Sequence, residues 1–239
     1  MTIESDCAEA SNSAAFLSRM LQFGDSMFPI GAFSFSSGLE SAVQEGVVTD
    51  VATLRAFAHT AIEQAARGDC IALIAAHRAA TADDVDTLVR IDAQVYARKL
   101  SDEARVMSVR MGKKFTEMGV KVVGVPLLRR WRECIESSVT PGCYPTALAI
   151  CFAVQRLPAS QAFVVHQYGV ATTILGAALR LMRVSHVDTQ KILYELTGQA
   201  AEMYATAAAA RLADMAGFAP LTEILAAVHA RAHVRLFMN

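Results

Sequence analysis

From Val51 onward, apolar residues fall at Leu54, Ala58, Ala61, Ile62 and Ala65, while Arg55, His59, Glu63 and Arg67 repeat every four positions on the opposite side. That spacing predicts an amphipathic helix from about Asp50 to Ala66, ended by Gly68. The pattern continues down the chain. A second helix starts near Asp69 and carries Ile71, Leu73 and Ile74 toward Arg78. Thr81 and Asp84 read as a capping pair for a third, through Leu88, Ile91 and Val95 toward Leu100. Ser101 caps a fourth, with Asp102 and Glu103 at its positive end and Ala104, Met107, Met111 and Phe115 inside. Pro126 opens a helix through Trp131 and Ile135, and Pro141, Gly142 and Pro145 then punctuate a loop. A helix over about 146–156 comes next, and Pro158 starts a long one reaching about Met182. Ser185 and Asp188 make a capping box before an Ala-rich helix over 189–215. Leu221, Ile224, Leu225, Val228 and Ala232 share one face of the last helix. The only extended-looking run is Val120-Lys-Val-Val-Gly-Val125. With no linker and no repeat, the chain reads as a single all-α domain, a bundle of about nine or ten helices over residues 1–239, with residues 1–13 as a flexible lead.

One stretch breaks the helical pattern. Asp25-Ser-Met-Phe-Pro-Ile-Gly-Ala-Phe-Ser-Phe-Ser-Ser-Gly-Leu-Glu40 is too rich in Gly, Pro and Ser for plain helix, yet it carries Met27, Phe28, Phe33 and Phe35. Pro29 fixes its own φ, Gly31 and Gly38 permit backbone shapes other residues resist, Asp25 can cap a turn, and Ser36 or Ser37 can cap the helix after the loop. Such an ordered apolar loop is a place where function concentrates.

Composition adds that much of the chain is either core or partner-covered, since it is 54% hydrophobic and 19% charged. The most apolar stretch, Phe163 to Met182, is interrupted by His166, Gln167 and Arg180, which favours a buried core helix over a membrane span. Glu4, Asp6 and Glu9 stand where a secretion signal would place bases, so a cytoplasmic protein is expected. Five cysteines, an odd number with no Cys-x-x-Cys pair, fit small buried residues in a reducing compartment. Charge is uneven: residues 1–50 sum to −6 and residues 98–132 to +7. Solvated helix faces account for this, and a dipolar surface that orients docking is the alternative. Nucleic acid is disfavoured by the pI of about 6.6 and by the lack of aromatics interleaved in the basic stretch.

Catalytic patterns are missing. No Gly-rich phosphate loop, Gly-x-Ser-x-Gly elbow or His-Glu-x-x-His pair occurs. His229 and His233 have a spacing that can hold one metal ion but lack a third ligand nearby in sequence. Asp83, Asp84 and Asp86 read as a charged helix start. An interhelical pocket lined by His166, Tyr168, Arg180 and Tyr194 is the alternative reading, for a helical enzyme or small-molecule binder. The ending Leu236-Phe-Met238 is too apolar to dangle and should pack on this chain or another.

Three blocks resemble the UreF family of urease accessory proteins: Leu21 to Glu40 with its Asp-Ser, Pro-Ile-Gly, Phe-Ser and Gly-Leu-Glu elements and on to Gly46; Tyr96-Ala-Arg-Lys99 followed by Arg105, Ser108, Met111 and Gly112; and the ending Arg235-Leu-Phe-Met-Asn239. Phe35 stands where many members have a histidine, so no metal role of that histidine carries over, and the run from Arg183 to Gln190 departs from the usual pattern. The resemblance implies an all-α homodimer that is not an enzyme. It would bind the accessory protein UreD/UreH, recruit the GTPase UreG and dock on apo-urease, with nickel and GTP handled by the partners and no cofactor of its own. It places UreD/UreH contact at Pro29, Gly31, Phe33, Ser36, Gly38, Glu40, Arg235, Leu236 and Phe237, and UreG contact at Arg98, Lys99 and Arg105.

Overall fold

The computed structural model describes residues 3–216, 219, 224, 225, 236 and 237, with side chains from residue 14 onward. Among them it is all helix and loop, as the periodicity predicts: α1 (Ile3–Gly24), α2 (Leu39–Gln44), α3 (Val51–Arg67), α4 (Asp69–Thr81), α5 (Val85–Ala97), α6 (Asp102–Val122), α7 (Pro126–Glu136), α8 (Tyr144–Val154), α9 (Ala159–Leu181), α10 (His186–Thr197) and α11 (Ala200–Ala209). Short 3-10 turns lie at Ala32–Ser34 and Leu212–Asp214. The expected last helix is described only at Ile224 and Leu225; His229, His233 and Arg235 lie outside the described residues.

The centre is α8. Its sequence is apolar on every side, and such a helix must be enclosed; it is buried from Tyr144 to Ala153, with α4 and α6 packed against it. Trp131, Phe115, Phe152 and Phe163 fill this first core. A second core joins α2, α3, the far half of α9 and α10 through Leu39, Leu54, Ile174 and Ile192. α9 runs through both, touching α3, α4, α8 and α10, and so carries the loop between α1 and α2 across the molecule. It is the one described helix long and apolar enough to cross a membrane, and 56% of the relevant window is buried within the fold.

Several start and stop signals differ from the sequence expectation. Thr81 ends α4, its hydroxyl donating to the His77 carbonyl at 2.9 Å, and Asp84 alone caps α5 by accepting from the Thr87 amide at 2.9 Å. The extended-looking Val120–Val125 run is instead the end of α6. Three valines are tolerated there, and Gly124, at φ 71°, stops the helix by donating to the Gly119 carbonyl. The Ala-rich segment is split at Gly198 and Gln199 into α10 and α11. The Ser185–Asp188 capping box, the Ser101 cap and the Pro126 and Pro158 starts stand as predicted. Cys70, Cys143 and Cys151 are buried free thiols, and burial pushes the Cys151 thiol up to about 12.

Candidate partner-binding site

The loop between α1 and α2 is anchored at one end and open in the middle. The Asp25 carboxylate accepts from the Met27 amide at 2.7 Å and its carbonyl from the Phe28 amide at 3.0 Å, a side-chain-capped turn. That turn drops Phe28 into the core beside Phe23 and Phe115, with ring centres 5.1 and 5.3 Å away. The chain then reverses. Gly31 sits at φ 79°, the 3-10 turn comes next, and Ser37 and Gly38 both take left-handed backbone, at φ 54° and 83°. Gly31 and Gly38 supply shapes that a side chain would strain, and Ser37 holds one at some cost. As a result Phe35 is buried, occupying the core where a histidine would need polar partners, while Phe33 is 73% exposed. Gly38 begins α2 with no side-chain cap; the Ser36 hydroxyl instead accepts from the Glu40 amide at 3.4 Å.

Glu40 ties this loop to the far end of the chain. Its carboxylate, in a residue only 2% exposed, accepts from the Leu236 amide at 2.7 Å and the Phe237 amide at 3.1 Å. Amides bound to a buried carboxylate form strong, charge-assisted bonds. Phe237 is buried in the second core, and the Arg180 guanidinium lies 4.2 Å from its ring centre. Arg180 also donates to the Phe33 carbonyl at 3.1 Å. Loop, tail and α9 are thus one interlocked unit with Phe33 and Leu236 facing outward, Leu236 at 64% exposure. Of the expected contact residues, Pro29, Phe33 and Leu236 are exposed and Gly31 half-buried, while Ser36, Gly38, Glu40 and Phe237 are buried and hold the others in place. Sequence reasoning did not assign Arg180 here. A lone arginine in the most apolar helix was the available signal, though nothing in its spacing names Phe33 or Phe237.

The basic trio separates by environment. The Lys99 ammonium lies 2.7 and 2.5 Å from the two Asp69 carboxylate oxygens, an ion pair sheltered in the fold. Burial alone would raise the Asp69 carboxyl, but Lys99 and then His166 outweigh it and hold it below its usual value. Arg105 bonds Asp102 at 3.0 Å and lies over the Tyr96 ring. Arg98 is exposed and donates to Gln94 at 3.1 Å.

The interhelical pocket does not assemble. His166 is buried, stacked on Tyr144, and pushed by burial down to about 4, so it is neutral near pH 7. Tyr168 and Tyr194 point outward, and Arg180 serves the loop and tail. Among the described residues no group of three His, Cys, Asp or Glu side chains is arranged to hold a metal ion.

The helical domain interlocks two distant segments and leaves Phe33 and Leu236 exposed. Its relatives place it in a family. A family model for UreF matches residues 48–197. "Urease accessory protein UreF 1" of Brucella melitensis is 55% identical over 223 residues, covering 93% of this chain and 92% of that protein. "Urease accessory protein UreF 2" of Brucella canis matches to the same extent. "Urease accessory protein UreF" of Yersinia pseudotuberculosis is 49% identical over 227 residues, 95% of this chain and all of that protein. The chain belongs to the UreF family of urease accessory proteins, which are accessory factors and not catalysts.

Proposed function

We propose that this chain is a cytoplasmic scaffold for nickel insertion into urease. It captures UreD/UreH through the loop–tail unit, recruits the GTPase UreG through the Arg98–Arg105 corner, and presents both to apo-urease. The observation that carries this reading is the Glu40 tie, which holds the tail with Leu236 exposed, while Arg180 links the Phe237 ring to the carbonyl of exposed Phe33. Exposed apolar side chains on a preorganised frame bind at low entropic cost. The chain works by differential binding, favouring one nucleotide state of the GTPase, and nickel and GTP stay with the partners. A homodimer fits α9, whose outer face carries exposed Val164 and Tyr168 beside Gly169 and Gly176, with nothing within 4 Å of where a Cβ on either glycine would lie.

The test is size-exclusion chromatography with light scattering on the chain alone and with UreD/UreH from the same source. A particle of about twice 25.7 kDa that moves into a larger stable complex is the expected outcome. A monomer that ignores UreD/UreH overturns the reading.

A further inference from the structure

The loop and tail leave unused a cleft at the corner where α5 hands over to α6. Its volume is about 170 Å³, room for one aromatic or branched side chain. Ala61 and Ala65 from α3, Ala104 and Met107 from α6, and Val170 from α9 supply its apolar lining, with Gln64, Ser101 and Glu103 as polar neighbours. The paired Lys99 and Asp69 also line it, as do Ser37 and Gly38 at the end of the loop. Leu100, between the cleft-lining Lys99 and Ser101, is 63% exposed on the lip. Arg98 lines the cleft, and Arg110 comes after Glu103 and Met107 on the same stripe of α6. Neither arginine has a carboxylate partner among the described residues, whereas Asp69 is taken by Lys99 and Glu103 has an interaction of its own.

We infer that this corner is a socket for a partner protein presenting one aromatic or branched apolar side chain flanked by carboxylates. The side chain fills the cleft, Leu100 extends the apolar contact outside it, and the carboxylates take Arg98 and Arg110 as charge-assisted pairs. A small molecule in the cleft would reach Arg98 but leave Leu100 and Arg110, outside the lining, unused; a protein surface engages all three. An apolar anchor point with Arg98 in its lining and Arg110 beyond it has the composition of an interface hot spot. The inference rests on the scaffold reading and states what the GTPase must carry on the face that meets this chain.

The test is biolayer interferometry of the chain, with UreD/UreH present, against the GTPase. Ala104→Trp fills the cleft from α6, and the double variant Arg98→Glu/Arg110→Glu reverses the exposed rim without touching the core. Circular dichroism melts establish that each is folded. Ala104→Trp should weaken GTPase capture about 30-fold, and the rim variant about tenfold with a flatter dependence on salt. Capture of UreD/UreH should stay within about twofold for both. Wild-type chain that takes up the GTPase, with both variants doing so equally well, overturns the socket and leaves the scaffold reading standing. Wild-type chain that captures neither protein overturns the scaffold reading and the socket with it. Loss of self-association in Ala104→Trp, with GTPase capture unchanged, makes the occupant a second copy and overturns the inference as stated.

Discussion

Two buried carboxylates stitch distant segments of this chain together. Asp92, on α5, accepts from the Thr140 hydroxyl at 2.6 Å and from the amides of Gly142 and Cys143 at 2.7 and 2.9 Å. Glu40, on α2, accepts from the amides of Leu236 and Phe237. The chemistry is the same, but the surroundings differ. Around Asp92 everything is enclosed: a Cβ on Gly112 of α6 would come within 2.1 Å of the Gly142 carbonyl oxygen, so only glycine lets the helix lie on that loop. Around Glu40 the tied segments carry Phe33 and Leu236 outward. A carboxylate that gathers amides shows only that two segments must be held together. What those segments present to solvent decides whether the tie supports the fold or displays a surface.

The sharpest break of this comparison is Asp92→Ala. Three buried donors lose their acceptor, and orphaned donors cost more than the bonds themselves contributed. The variant should lose about 4 kcal/mol, lowering the melting temperature by roughly 10 °C, while the folded fraction still captures UreD/UreH. An unchanged urea midpoint would remove Asp92 as a brace.

The next effect comes from acid. His166 has its folded pKa at about 4, below the ordinary 6.5, because burial disfavours the imidazolium. The unfolded chain therefore binds the proton first, and the contribution present above pH 6.5 is lost as pH falls toward 4. Burial also lowers His77, which acts in the same direction. The loss from His166 should be on the order of 3 kcal/mol. Denaturation from pH 7 to 4 should show it, and His166→Gln should flatten the slope; an equal slope in that variant refutes the assignment.

Much of this was legible in the chain. The helices of residues 50–182 follow from apolar spacing and from Pro, Gly, Ser and Asp at their ends. The loop at 25–40 announces itself by mixing Gly, Pro and Ser with Phe. Periodicity is a local signal, however, and it does not report partners that are distant in sequence. Nothing near Glu40 names Leu236, nothing near Asp92 names Gly142, and Arg180 looks like an interruption in an apolar helix until Phe237 is seen beneath it. The break at Gly198 and the place of Thr81 at the end of α4, with Asp84 alone as the cap, escape the sequence for a related reason: several residues in each stretch could end or start a helix, and packing selects among them.

Glu40→Gln tests the display half of the comparison. The amide keeps one acceptor oxygen but replaces the other with a donor facing an N–H, and it loses the charge. Stability should fall by about 1.5 kcal/mol, less than for Asp92→Ala, because the amide retains one of the two acceptors and the side chain still fills its place. UreD/UreH capture should fall further than stability does, and limited proteolysis should release the last residues early. Capture equal to wild type would show that the tie serves packing alone.

The smallest stability effect belongs to Phe33→Ala. The ring is largely in solvent, so its removal should change unfolding by less than about 0.5 kcal/mol. If Phe33 is an anchor, the same change should weaken UreD/UreH binding by about 2 kcal/mol, near 30-fold, because an aromatic seated in a partner contributes through desolvation that the free chain never experiences. Arg180 binds the Phe33 carbonyl and not its ring, so the loop backbone should keep its place. The pair of measurements then separates frame from contact: Glu40→Gln disturbs both stability and binding, whereas Phe33→Ala disturbs binding alone. A Phe33→Ala chain that titrates UreD/UreH like wild type would move the contact to Leu236 and its neighbours in the tail.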